Sequence, residues 1–308
     1  MSILALVLVL ILEQRRPFIE REKFMNLLGR GAATLERHFN AGEVHHGAIA
    51  WLLAVVPLAL VAGVIYWIAY KIHPLLAVLV NIGVLYATMG LRHASHYFTD
   101  IQSALADGEL ERARALLGNW RGQSAEPLSR EEVIRVTIEQ ALVGAHRHVF
   151  GVLFWFVLLP GPIGAVLYRV ASLLHERWGT AMEPELSRFG WFARNAFEAI
   201  DWIPARLTAI AFAIVGDFED AVYSWRMQAA QWTDRTLGVV LASGAGALGV
   251  RLGNPLRRED GSLDERPELG LGDEPDIAFL DSTVGLVWRA LLLWLAMILL
   301  ITIVRYVA

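Results

Sequence analysis

The sequence predicts an all-α, polytopic integral membrane bundle, and three observations carry that reading. The 308 residues are 56% hydrophobic with a mean hydropathy of +0.45, too apolar for an ordinary soluble domain. Several apolar runs approach the roughly 20 residues a helix needs to cross a bilayer. The basic residues fall between those runs, where positive loops set topology. We expect about 4–5 transmembrane helices, short or re-entrant apolar segments and amphipathic cytoplasmic helices, all in one membrane domain over residues 1–308.

Residues 2–12 are apolar but too short to span. They lack the basic start and small-residue cleavage site of a signal peptide, so a short retained helix is expected. Residues 13–43 are polar, with Leu27, Leu28, Ala32, Leu35 and Phe39 at the spacing of an amphipathic helix. Residues 48–70 are uncharged, with Trp51 and Trp67 near the ends, the pattern of a spanning helix with aromatic anchors. A tight link through Pro74 leads to a second span at 75–91, making an antiparallel hairpin.

From 92 to 148 the chain is polar but keeps helical periodicity, and Ser129-Arg130-Glu131-Glu132 opens a helix with acids in its first turn, as the helix dipole favours. A third span is expected at 149–168, broken by Pro160-Gly161-Pro162. An amphipathic region follows at 175–198. Residues 203–215 form a short, plausibly re-entrant apolar run with Pro204 and Arg206 at its mouth. The Gly/Ala-rich stretch 237–252 suits close helix contact, residues 254–281 form a polar loop, and 284–304 form the last span. Both arginine-rich loops flanking the hairpin are expected on the cytoplasmic side.

Composition excludes several functions. No cysteine is present, which removes disulfides, iron–sulfur clusters and thiol nucleophiles. A net charge of −4 and pI near 6.1 argue against nucleic acid as a partner. No phosphate-binding loop, nucleophile elbow or His-Glu-x-x-His motif occurs. Gly244-Ala245-Gly246-Ala247-Leu248-Gly249 spells a dinucleotide fingerprint, but it follows no strand, so it is read as helix packing.

Three constellations could carry chemistry. His93, His96 and Asp100 share one helix face and could hold zinc or a similar ion, with Glu139, His146 and His148 as further donors; alternatively these histidines bond to backbone or headgroups at the membrane interface. His146 and His148, two apart on a helix, point in nearly opposite directions and cannot both face one ion. Arg92, Arg121 and Arg206 could together bind an anionic small-molecule substrate, or could snorkel and balance charge. Glu139 could be a catalytic general base or a magnesium ligand, or could pair with Arg135 one turn earlier.

The order of features resembles the CobD/CbiB family of membrane proteins and its relative AmpE. The stretches that carry the likeness include Leu91-Arg92, Gly108 to Arg114, Arg121, Ile138-Glu139, Leu153-Phe154-Trp155, Pro162 to Arg169 and Phe189-Gly190-Trp191. Ile203-Pro204-Ala205-Arg206-Leu207 and the segment from Gly249 to Gly270 continue it. The resemblance implies cobalamin biosynthesis in the inner (cytoplasmic) membrane of a bacterium: ATP-dependent amide formation between adenosylcobyric acid and aminopropanol or its phosphate, with magnesium. It assigns Arg92, Arg121 and Arg206 to substrate and Glu139 to catalysis. The family's expected polar residues are replaced at Gly122-Gln123, Val143-Gly144, Arg147, Ser172-Leu173 and His175. Leu8 to Glu13 and Asp201-Trp202-Ile203-Pro204 resemble AmpE-like proteins, which implies a second reading: a non-catalytic regulator linked to β-lactamase induction. The bilayer is the expected partner, and a homo-oligomer is compatible with the sequence.

Overall fold

Apolar runs become long helices at both ends of the chain, and polar sequence between them becomes helix as well. In the computed structural model the backbone is described for residues 2–15, 21–180 and 184–307, and side chains for the same residues except 2–4, 14, 15, 21, 22, 24, 91–94, 184, 185 and 305–307. The helices are α1 (Ser2–Arg15), α2 (Arg21–Phe39), α3 (Val44–Ile72), α4 (Pro74–Thr88), α5 (Leu91–Ala106), α6 (Leu110–Arg121) and α7 (Arg130–Ala145). A π-helical turn (His146–Phe150) continues into α8 (Gly151–Leu158). It is followed by α9 (Ile163–Leu174), a second π-turn (His175–Gly179), α10 (Pro184–Val215), α11 (Phe218–Gln228) and α12 (Arg235–Leu248). Four two-residue strands, β1 (Leu252–Gly253), β2 (Leu256–Arg257), β3 (Leu263–Asp264) and β4 (Glu268–Leu269), precede α13 (Ala278–Val307).

Among the described residues three stretches are long and apolar enough to cross a membrane: Val44–Ile72, Arg130–Leu158 and Ala278–Val304. Leu53, Leu60, Val61 and Val64 on α3, and Leu292, Leu299 and Leu300 on α13, are exposed. Such bands suit a lipid solvent, which asks only that the backbone bond to itself. The buried face of α3 is Gly47, Ala50, Val55, Ala59 and Ala62 beside Trp51, the small residues that let membrane helices approach closely.

Two expected spans differ. The helix expected at 75–91 ends at Thr88, because Met89 turns to extended backbone. Its 15 residues extend about 22 Å, short of the roughly 30 Å hydrocarbon core. Around the span expected at 149–168, the stretch long and apolar enough to cross starts earlier, at Arg130, and ends at Leu158. The chain breaks at Pro160-Gly161-Pro162 as expected, but the long helical stretch before the break begins at Arg130. The polar helix at its start does not stop at the apolar boundary, because a π-turn carries it through. The short run at 203–215 and much of the amphipathic region before it form one helix, α10.

The chain packs as two compact units, residues 1–90 with 147–202 and residues 91–146 with 203–308. In the first, α1 lies on α4, α3 packs against α2, α4 and α9, and α8 and α9 form a tight hairpin. In the second, α7 is the hub, packed by α5, α6, α12, α13 and β1. That placement explains a helix buried almost all round, from Val133 to Glu139. A capping box starts it: Ser129 Oγ accepts from Glu132 N at 3.2 Å and Ser129 N donates to a Glu132 carboxylate oxygen at 2.6 Å. The stretch at 244–249 packs as helix: a Cβ on Gly246 would strike the Asp220 carbonyl, and one on Gly244 would crowd Leu142.

The segment expected as a polar loop contains a small ribbon. β1 pairs antiparallel with β4 and β2 with β3. Its tip closes locally, with Asp260 Oδ1 accepting from Ser262 N at 2.9 Å and Ser262 Oγ at 2.6 Å.

Candidate functional site: a buried carboxylate among arginines

Glu139 sits midway along α7 and is buried. Charge cannot be left bare there, so both oxygens are engaged. Oε1 accepts from Gly253 N at 2.8 Å, and Arg266 spans the carboxylate in a fork, Nη1 to Oε2 at 2.7 Å and Nη2 to Oε1 at 3.3 Å. The other Arg266 donors go to the ribbon backbone, Nη2 to Gly253 O at 2.9 Å and Nε to Asn254 O at 3.1 Å. Its guanidinium lies 5.6 Å from the Trp232 ring, a cation–π contact. Gly253 thus gives its N–H to the acid and its carbonyl to the arginine. It does so at φ +75°, where a Cβ would collide with the Pro267 carbonyl.

Further guanidinium groups surround this clasp. Arg135, one turn before Glu139, turns to Glu274 at 3.3 Å and to Gly253 O at 3.5 Å, and Arg251 also reaches Glu274, at 3.5 Å. The Glu139–Arg135 pair expected from their spacing is replaced by these long-range partners. Arg121, at the end of α6, donates to Gln123 Oε1 at 3.2 Å. Burial pushes its guanidinium below the ordinary value, while the Glu139 carboxylate opposes that shift and Arg266 adds to it. The Nε atoms of Arg135 and Arg251 are buried without a hydrogen-bond partner. Four guanidinium groups therefore face two carboxylates, with donors to spare. Such a set suits phosphate or carboxylate groups.

The other expected site residues lie elsewhere. Arg206 is half-buried on α10. The side chains of Arg92 and His93 lie outside the described residues, and His96 and Asp100 are exposed on α5. His146 and His148 face different partners, as their spacing requires. His146 Nδ1 lies 3.0 Å from Thr208 Oγ1, whose hydroxyl donates to Pro204 O at 2.9 Å, so the imidazole places a proton on Nδ1. His148 Nδ1 lies 2.6 Å from Arg169 Nη1. Near it in the first unit, buried Tyr168 donates to Asp201 at 2.7 Å, and Arg147 lies 3.7 Å from Glu176.

Sequence reasoning missed Arg266, Gly253 and Glu274. The available signal was a charged stretch between Gly253 and Gly270, but the pairing of Glu139 with Arg266 spans 127 residues.

These features define a multi-helix membrane protein with a charged cluster on the hub helix of one unit. The chain belongs to the CobD/Cbib protein family, whose profile matches residues 3–287. It is 36% identical over 275 residues, 88% of either chain, to the cobalamin biosynthesis protein CobD of Stutzerimonas stutzeri (strain A1501). Against the protein of that name from Chromobacterium violaceum it is 38% identical over 251 residues, 82% of this chain and 78% of the other. Against that of Mycobacterium tuberculosis (strain CDC 1551 / Oshkosh) it is 30% identical over 268 residues, 84% and 83% of the two chains. No solved structure matches. These matches give no support to the AmpE-like regulatory reading.

Proposed function

We propose that this protein acts in cobalamin biosynthesis at the inner membrane of a bacterium, forming the amide between adenosylcobyric acid and aminopropanol or its phosphate with ATP. The observation that carries the chemistry is the arginine cluster around Glu139, in which the buried Nε groups of Arg135 and Arg251 lack partners. An anionic substrate, or the phosphates of the nucleotide, would meet those donors, with Arg121 adding charge from α6. Family membership over residues 3–287 supplies the reaction class.

Magnesium fits this cluster poorly as it is arranged. A magnesium ion takes one or two free carboxylates together with substrate phosphates, whereas Glu139 and Glu274 are both covered by guanidinium groups. Glu139 holds the ribbon through Gly253 and Arg266, and it takes a proton from substrate only after Arg266 moves away.

The test uses purified protein in lipid nanodiscs with adenosylcobyric acid, aminopropanol phosphate and ATP, following the amide product by mass spectrometry. Product is expected above a protein-free control. An Arg121→Met variant should lose about 10–100-fold in kcat/KM, the size of one charge-assisted hydrogen bond. No turnover beside an active synthase of the same family would reject the proposal.

A further inference from the structure

The first turn of α3 carries a group of donors that the arginine cluster does not use. Glu43 is the N-cap of the helix, and His45 and His46 follow it. One ligand atom from each of Glu43, His45 and His46 lies within 4.8 Å of the others, a convergence reached by no other three such residues among those described. His45 Nδ1 and Glu43 Oε2 are 3.0 Å apart, and the two imidazole rings lie 4.0 Å centroid to centroid. The Nδ1 atom of His46 is buried with no hydrogen-bond partner.

We propose that Glu43, His45 and His46 bind a divalent transition ion of the zinc class. Two imidazoles and a carboxylate are a donor set that zinc takes in three-ligand sites, leaving a fourth position to water. Zinc–donor bonds are about 2.0–2.2 Å long, which places tetrahedral ligands roughly 3.4 Å apart. The widest separation, within 4.8 Å, therefore has to close by up to about 1.4 Å. The side chains of His45 and Glu43 are 63% and 62% exposed and can rotate to do so, whereas His46 is half-buried. The helix beside it is closely packed: a Cβ on Gly47 would strike the Phe189 carbonyl, and Trp51 one turn on packs edge-to-face against Phe192 at 5.6 Å. An ion would give the orphaned His46 nitrogen its partner. The Glu43 carboxylate would offset the unfavourable field that a helix N-terminus exerts on a cation. Bound there, the ion would pin the entry of the chain into the most apolar of the three membrane-length stretches.

The experiment uses the full chain without any histidine tag, in detergent, titrated with zinc by calorimetry and with cobalt(II) by visible absorption. One ion per chain and a cobalt d–d band of tetrahedral intensity are expected. Loss of even an outer-shell partner weakens a metal site by about 10–100-fold, so His46→Ala and Glu43→Gln should each lose at least about tenfold in affinity. His45→Gln, at an exposed position, should do the same while leaving helicity and the chromatographic profile unchanged. His38→Ala, on the exposed end of α2, should bind as the parent does. Binding that survives His45→Gln and His46→Ala, or no binding at 100-fold excess of ion, would overturn the proposal. The amide-forming assay is independent of both outcomes, because the cluster at Glu139 shares no residue with this one.

Discussion

Arg266→Ala opens the clasp that holds the ribbon to α7, and its effect can be worked from the contacts. The substitution leaves Glu139, whose side chain is 7% exposed, with Gly253 N–H as its remaining donor of the three bonds described. It also removes the bonds to Gly253 O and Asn254 O and the stack on Trp232. Breaking a buried ion pair by removing one partner costs about 3–5 kcal/mol. At 1.4 kcal/mol per tenfold, the open state of the ribbon should rise by about a hundredfold or more. Hydrogen exchange read by mass spectrometry on peptides covering 250–270 measures that population directly, since the amides of Arg251, Gly253, Asn254 and Gly270 in this segment are all hydrogen-bonded, to Asp273, Glu139, Pro267 and Gln228. A double-mutant cycle with Glu139→Ala isolates the pair from the rest. Exchange within about threefold of the parent, or a coupling below about 0.5 kcal/mol, would refute the reasoning.

Three further substitutions probe the ribbon and the first unit. Gly253→Ala, forced into a left-handed backbone against the Pro267 carbonyl, should destabilise by more than the roughly 1–2 kcal/mol of that conformation alone, whereas Gly249→Ala, at φ +66° with open space around it, should lose only that amount; parallel denaturation midpoints compare them. Tyr168→Phe removes the hydroxyl that donates to buried Asp201 at 2.7 Å, and should reduce stability by about 1.5–3 kcal/mol, as for a hydrogen bond to a charged group. Equilibrium unfolding in mild detergent measures that loss, and an unchanged midpoint would show that the bond contributes nothing.

The long apolar helices over 48–70 and 284–304 are legible because their signal is local: apolar residues over a bilayer's length. The stretch at 130–158, read as a polar helix leading into an apolar span at 149–168, differs for the opposite reason. Arg135 and Glu139 look like solvent-facing polar residues, and only the packing of five neighbours around α7 makes them buried. Glu139 stands out by its position beside the apolar run, but its spacing leaves a pair with Arg135 only as one alternative. A helical spacing of four suggests Arg135, but a forked arginine 127 residues away offers two parallel bonds and wins. The divergence of His146 and His148 was readable from helix geometry alone, and their separate partners, Thr208 and Arg169, follow it.

The hairpin tip has a practical consequence. Residues 257–263 are held by their own turn, through Asp260 and Ser262, while the base of the ribbon is anchored through Gly253. Lengthening the chain at the tip would leave the anchor in register, whereas a one-residue insertion between 251 and 253 would exchange the faces of the strand and take the amide away from Glu139. An epitope or fluorophore grafted after Asp260 should therefore report on the protein in cells without disturbing the cluster beneath it.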